Sequence, residues 1–207
     1  ALSADGPLNL YQAVVLASSP AGRDRGTMIV LNDRIGSAFY TTKNNANSLD
    51  TFFSTEAGQL GSFVNQVPYF FYAPAEPVGR VVFDVSNVTA LAKVDVLYAH
   101  QDMSPALWNA SVEAGAKGIV YAGVGAGGMT SKANTAAEEV YNATQIPIVA
   151  SHRSTDGMVP PTSEDDFVIS SGYYNPQKAR VLLQLGLTVG WSNQEIKEAF
   201  AKSLPMP

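Results

Sequence analysis

Across its 207 residues the chain is 46% hydrophobic and 15% charged, carries a net charge of −5 and contains no cysteine. That apolar share can build a core in one large or two small domains, and the low charge argues against a solvated, disordered chain. Nucleic-acid binding through a basic face, disulfides, zinc–thiolate sites and cysteine nucleophiles are excluded, and no apolar segment is long enough to span a bilayer.

The first stretch, "ALSADGPLNLYQAVVLAS", predicts a helix almost at once. Ser3 or Asp5 can cap it, Pro7 suits its first turn, and Leu8, Tyr11 and Val15 recur at helical spacing. A chain that enters a buried helix so soon reads as the later part of something longer. "TMIVLND" is a short continuous apolar run, as expected of a strand buried on both faces of a parallel sheet. Pro68, Pro74 and Pro77 crowd the stretch after residue 66, which predicts an extended linker over residues 67–90. It separates an amino-terminal domain, residues 1–66, from a carboxyl-terminal one, residues 91–207.

From residue 91 the pattern becomes regular. "KVDVLYAH", "GIVYAG", "IPIVASH" and "DFVISS" read as strands. The helix "SPALWNASVEAGA" follows the first, with Ser104 as cap and Gly115 as stop, and "SKANTAAEEVYNAT" follows the second. "NPQKARVLLQLGLT" opens on an Asn175 cap and can bury Ala179, Leu182 and Leu183. In "WSNQEIKEAFAKSL", Ser192 and Glu195 make a capping box and Trp191 can staple onto Ile196. Alternating strands and helices with short connections predict a parallel α/β domain, whose ligands bind at the carboxyl ends of the strands.

That rule directs attention to His100, His152 and Gly123 to Gly128. The run "GVGAGG" fits a dinucleotide fingerprint, but the next strand ends "IVASHR" without the acid that would hold a ribose. A tight turn that needs glycine is the better reading, with a small carboxylate held on backbone N–H groups as another. His100, His152 and Asp102 could ligate a metal, yet nothing shows the spacing zinc requires, so each histidine reads as structural. No G-x-S-x-G elbow is present. Asp33 ends "MIVLND" and reads as a loop cap in a position that suits organising a site. Lys43 stands alone among small polar residues in "SAFYTTKNNANSLDTF", where Thr41, Thr42, Asn44, Asn45 and Asn47 could hydrogen-bond around it. Composition leaves a solvated loop lysine and a catalytic amine both open.

"SADGPLNLYQAV", "VLNDRI", "TTKNNANSLDTFFS", "GIVYAGVGAGG", "SHRSTDG" and "GYYNPQKARVLLQLGL" resemble, in order, the later two-thirds of type II bacterial-type L-asparaginases. The resemblance implies an α/β fold, here an incomplete flavodoxin-like amino-terminal domain joined to a smaller parallel α/β carboxyl-terminal domain. It implies hydrolysis of L-asparagine, and sometimes of L-glutamine, through a threonine nucleophile and an acyl-enzyme, with no cofactor. A second threonine, an aspartate and a lysine support that chemistry in the family, and the lysine's role carries onto Lys43.

The family's motifs "GGTIxG" and "HGTDT", which hold both threonines, are absent from this sequence. A complementary amino-terminal chain or fragment, held without disulfides, is therefore expected. The adjacent subunit's asparagine or serine in the "GVGxGx" loop falls on Gly128, which lacks the side chain. The acid that meets the substrate's amino group falls near Glu164 when counted from Arg153, and the register shifts when counted back from "NPQKAR". A dimer of dimers is the implied assembly. A non-catalytic module for assembly or small-acid binding, and a glutaminase-leaning enzyme, stand as alternatives. Sequons at Asn87, Asn109 and Asn142 point to a glycosylated protein in a secreted, cell-wall or periplasmic location.

Overall fold

The computed structural model describes residues 4–76 and 80–204. It divides into two units, Ala1–Pro77 and Val78–Pro207.

In the first unit, helix α1 (Gly6–Ser18) leads into β1 (Met28–Leu31), β2 (Arg34–Ser37), β3 (Thr42–Lys43), β4 (Phe52–Phe53), β5 (Gly61–Val64) and β6 (Val67–Phe70). Strands β1, β2, β5 and β6 form one sheet in that order, antiparallel at every pairing, while β3 and β4 form a separate ribbon. This corrects the reading of "TMIVLND" as a parallel strand buried on both faces. Met28–Leu31 is half-buried throughout and folds back on Arg34–Ser37 through Asn32 and Asp33, at φ 51° and 59°. Asparagine and aspartate tolerate that left-handed conformation, which a tight two-residue hairpin turn demands. Pro68 lies within β6 rather than in a linker, and β6 is an edge strand, where a missing N–H is tolerated.

Helix α1 carries Pro7 in its first turn as expected, but Asp5 makes no side-chain cap and takes a 3.0 Å hydrogen bond from Asn9 Nδ2 instead. The other predicted cap, Ser3, lies outside the described residues. The helix buries Asn9, Gln12 and Leu16 and leaves Leu8 and Tyr11 exposed. The reason is polar. Asn9 Oδ1 accepts the Asn32 N–H at 3.1 Å, and Gln12 Nε2 donates to Asp33 Oδ1 and to Gln66 Oε1. Beneath them lies a small core of Leu16, Ile35 and Phe63, flanked by half-buried Met28, Val30, Leu60 and Phe70.

The second unit follows its sequence pattern closely. Strands β7 (Val94–Tyr98), β8 (Gly118–Gly123), β9 (Ile148–His152) and β10 (Val168–Ser170) are parallel neighbours in the order β10-β9-β8-β7. Helices α2 (Ala106–Glu113) and α3 (Ser131–Thr144) share one apolar cluster with the sheet, which holds Trp108, Ile119, Tyr121, Ala137 and Ile148. Helices α4 (Pro176–Thr188) and α5 (Asn193–Lys202) share another on the opposite residues, which holds Val120, Val149, Leu183, Ile196 and Phe200. Every residue of β8 is buried. Each fully buried side chain of this size contributes roughly 2–3 kcal/mol of apolar transfer energy.

The helix ends explain themselves. Asn175 Oδ1 accepts the Lys178 N–H at 3.0 Å, and Ser192 with Glu195 closes the capping box. Helix α2, like α1, is uncapped by a side chain. It starts after Pro105 with no side-chain cap, so Ser104 does not play the predicted part.

Candidate active site

Lys43 lies on β3, where Thr42 pairs with Phe53 and Lys43 with Phe52. So short a ladder cannot hold itself, and side chains brace it from three directions. Thr41 is buried, and its hydroxyl lies 2.8 Å from that of Ser54. Thr51 Oγ1 accepts the Asn45 N–H at 2.8 Å and donates to the Asn45 carbonyl at 2.5 Å. Asn45 Oδ1 in turn accepts the N–H groups of Asn47 and Ser48 at 2.8 and 2.9 Å. At the far end Asp50 takes a forked pair from the Arg34 guanidinium and a 3.0 Å bond from Asn32 Nδ2. The Arg34 bond, reinforced by Asn32 and by the positive charge itself, holds the Asp50 carboxyl below the usual range.

The polar residues around Lys43 therefore fold the loop that presents it. Thr41, Asn44 and Asn45 bond to Ser54, Thr55 and the loop backbone respectively. Lys43 itself is exposed, and its ammonium lies 5.9 Å from the centroid of the Phe52 ring. A cavity of about 280 Å³ borders the ribbon, lined among others by Leu31, Arg34, Thr41, Phe53 and Gln59. Gly36 lies against Thr41 so closely that a Cβ there would come within 2.2 Å of the threonine hydroxyl. Asp33 sits at the β1–β2 turn, bound to Gln12, and works as an anchor for α1.

In the second unit the "GVGAGG" run is a backbone device. Val124 and Gly128 bridge through N–H···O bonds of 3.1 and 2.8 Å. A Cβ on Gly123 would lie 2.4 Å from the Gly127 carbonyl carbon, which accounts for glycine at the strand end. Gly128 is exposed within this bridge. Glu164 is also exposed, and its carbonyl accepts a 2.7 Å bond from Lys197 Nζ. An open, polar cavity of about 580 Å³ lies nearby, with Gly127, Ser131, Asn134, Thr162 and Asp166 in its wall.

His100 is exposed with Nδ1 2.8 Å from the Gln101 carbonyl. His152 is buried with Nδ1 3.0 Å from the Ser154 carbonyl, and its Nε2 has no hydrogen-bond partner. Among the described residues no group of three or more His, Cys, Asp and Glu side chains is placed to hold a metal ion. Sequence reasoning passed over Lys178, half-buried in the first turn of α4. Burial pushes its amine down to about 8, against the opposing pull of the Asp156 carboxylate. The only trace of this in the sequence is a lysine in the third position of a capped, apolar helix.

Residues 93–200 match the family described as the Glutaminase/Asparaginase C-terminal domain, and residues 1–76 match Asparaginase, N-terminal. The chain belongs to the glutaminase/asparaginase family. It is 50% identical over 204 residues to Probable L-asparaginase 1 of Schizosaccharomyces pombe, covering 97% of this chain and 55% of that protein. It is 38% identical over 205 residues to L-asparaginase 2 of Escherichia coli, covering 96% of this chain and 58% of that protein. Among solved structures, a probable cytoplasmic L-asparaginase from Campylobacter jejuni superposes with a TM-score of 0.89 at 37% identity, covering 98% of this chain and 65% of that one. The chain thus spans about half the length of the curated relatives it matches.

These likenesses bear out the type II asparaginase resemblance and the α/β fold. They overturn the secreted, cell-wall or periplasmic location, since the Campylobacter jejuni protein, which shares the fold of nearly the whole chain, is described as a probable cytoplasmic L-asparaginase. Asn87, Asn109 and Asn142 are exposed, the last two on α2 and α3, and lose the support that a secreted location lent them as glycosylation sites. No helix among the described residues is long and apolar enough to cross a membrane.

Proposed function

We propose that this chain is the larger part of an L-asparaginase that hydrolyses L-asparagine to aspartate and ammonia. The observation that carries the proposal is Lys43, presented on a ribbon braced by Thr41, Thr51 and Asp50 within the unit matching the asparaginase N-terminal family. A braced ammonium can tune a neighbouring hydroxyl and an attacking water by favouring their ionised forms, the kind of help that contributes roughly 10²–10⁴-fold.

The nucleophile threonines belong to a segment outside this sequence. Two observations support that part. The chain spans about half the length of its curated relatives. Leu8, Leu10, Tyr11 and Val14 leave an apolar face on α1 exposed, as a surface awaiting cover would. Gly128 and Glu164 belong to the loops that would meet substrate in an adjacent subunit of a dimer of dimers.

The test is Lys43→Met in the full-length protein, with ammonia release from L-asparagine as the readout. The expected result is a loss of about 100-fold or more in kcat with an unaltered melting temperature. Unchanged turnover would remove Lys43 from the mechanism. A second reading, a non-catalytic module that binds small dicarboxylic acids, draws on Gly128, which has no side chain to offer substrate. Calorimetry with L-aspartate, alongside rates on L-asparagine and L-glutamine, separates it from an asparaginase and from a glutaminase-leaning enzyme.

A further inference from the structure

We infer that Phe52 is a positioning residue for Lys43, an inference that rests on the catalytic reading of that lysine. Directly opposed residues in an antiparallel pair project to the same face, and Lys43 is opposed by Phe52. The ammonium lies 5.9 Å from the ring centroid. That is within the range where a cation is drawn to the negative face of an aromatic ring. A lysine stem has four rotatable bonds and sweeps a wide arc, so a group that prefers one part of that arc orders the amine.

The ring is itself well placed to do this. Thr51, the preceding residue, is buried and bonded to Asn45, and Asp50 before it is clamped by Arg34 and Asn32. Phe52 is thus fixed from its own amino-terminal side, independently of the lysine it faces. Phe53, the next residue, serves another cation, with the Arg34 guanidinium 4.5 Å from its ring. The two phenylalanines divide the work: Phe53 helps secure the ribbon, and Phe52 orients the ammonium that the ribbon carries. Exclusion of water by bound substrate would strengthen the Phe52 contact, because a cation–π attraction grows as the cation loses its hydration.

The experiment uses the full-length protein with Phe52→Leu, Phe52→Tyr and Phe53→Leu, each assayed for kcat, KM and melting temperature. Leucine keeps apolar bulk and removes the π face, whereas tyrosine keeps the face. Phe52→Leu is expected to lower kcat about fivefold at unchanged KM, and Phe52→Tyr to restore it. Phe53→Leu is expected to lower the melting temperature and, by loosening the ribbon, to lower kcat less than Phe52→Leu does. Equal kcat in the leucine and tyrosine variants at position 52 would overturn the inference. So would a Phe53→Leu variant that reproduces the kcat loss, since ribbon stability would then explain both. If Phe52→Leu does not fold, Phe52→Met makes the same comparison. Failure of the underlying reading has a different signature: Lys43→Met itself would leave turnover intact.

Discussion

The two units solve the problem of holding a sheet in different ways. In the second, β8 is buried at every position, and two apolar clusters, one with α2 and α3 and one with α4 and α5, sandwich the parallel strands. In the first, β1 has no fully buried residue, the buried apolar cluster is only Leu16, Ile35 and Phe63 with half-buried neighbours, and polar side chains add much of the cohesion. Asn9, Gln12, Arg25, Thr41 and Thr51 are all buried there, and each makes hydrogen bonds that tie one segment to another. Apolar burial is non-directional, whereas hydrogen bonds hold particular backbone groups at defined distances and angles. The hydrogen-bonded arrangement suits a loop that, under the proposed function, presents a lysine.

The contrast is broken or sharpened most directly by separating the units. Residues 80–204 expressed alone are expected to unfold cooperatively in denaturant, because their two clusters lie within the segment. Residues 4–76 alone are expected to bind a hydrophobic dye, because Leu8, Leu10, Tyr11 and Val14 are exposed. A cooperative, dye-silent amino-terminal unit would end the comparison.

A smaller effect probes the polar bracing. Gly36→Ala places a Cβ 2.2 Å from Thr41 Oγ1. It is expected to cost about 1–3 kcal/mol, read from the denaturant midpoint, and, under the proposed function, to lower ammonia release from L-asparagine by moving the ribbon that bears Lys43. A stable, fully active variant would show that the Thr41–Ser54 contact does not set the ribbon's place.

The smallest effect lies in the packed unit. The Lys178 amine is depressed from 10.5 to about 8, chiefly by burial. Below pH 8 both folded and unfolded forms are protonated, and the full cost of burying the charge is present. Between pH 8 and 10.5 the unfolded chain binds more protons than the folded one, so this group's contribution to stability rises with pH. After discounting for partial exposure the gain is about 1–2 kcal/mol. Denaturant titrations of wild type and Lys178→Met at pH 7 and pH 10 should show the gain in the wild type only.

How much of this was legible beforehand follows the same division. Asn175 and the Ser192–Glu195 box announce their helices because a cap is satisfied within one turn. The parallel strands of the second unit were legible because burial on both faces leaves continuous apolar runs such as "GIVYAG". "MIVL" has the same look and a different fate, because its partner is its own hairpin and its neighbours cover it only in part. Helix α1 misled for a related reason: Leu8 and Tyr11, two of its three apolar residues at helical spacing, face outward, and the amides of Asn9 and Gln12, which read as surface, face in.

The sequence by itself determined the family, the order of elements after residue 91 and the candidacy of Lys43. Those rest on local spacing and on motifs that survive without coordinates. Only the tertiary structure decided which face of α1 is buried, that Gly36 must let Thr41 approach, and that Phe52 stands opposite Lys43. Helical or strand periodicity announces none of these contacts, which are set by turn geometry and by hydrogen bonds that close only once the segments meet.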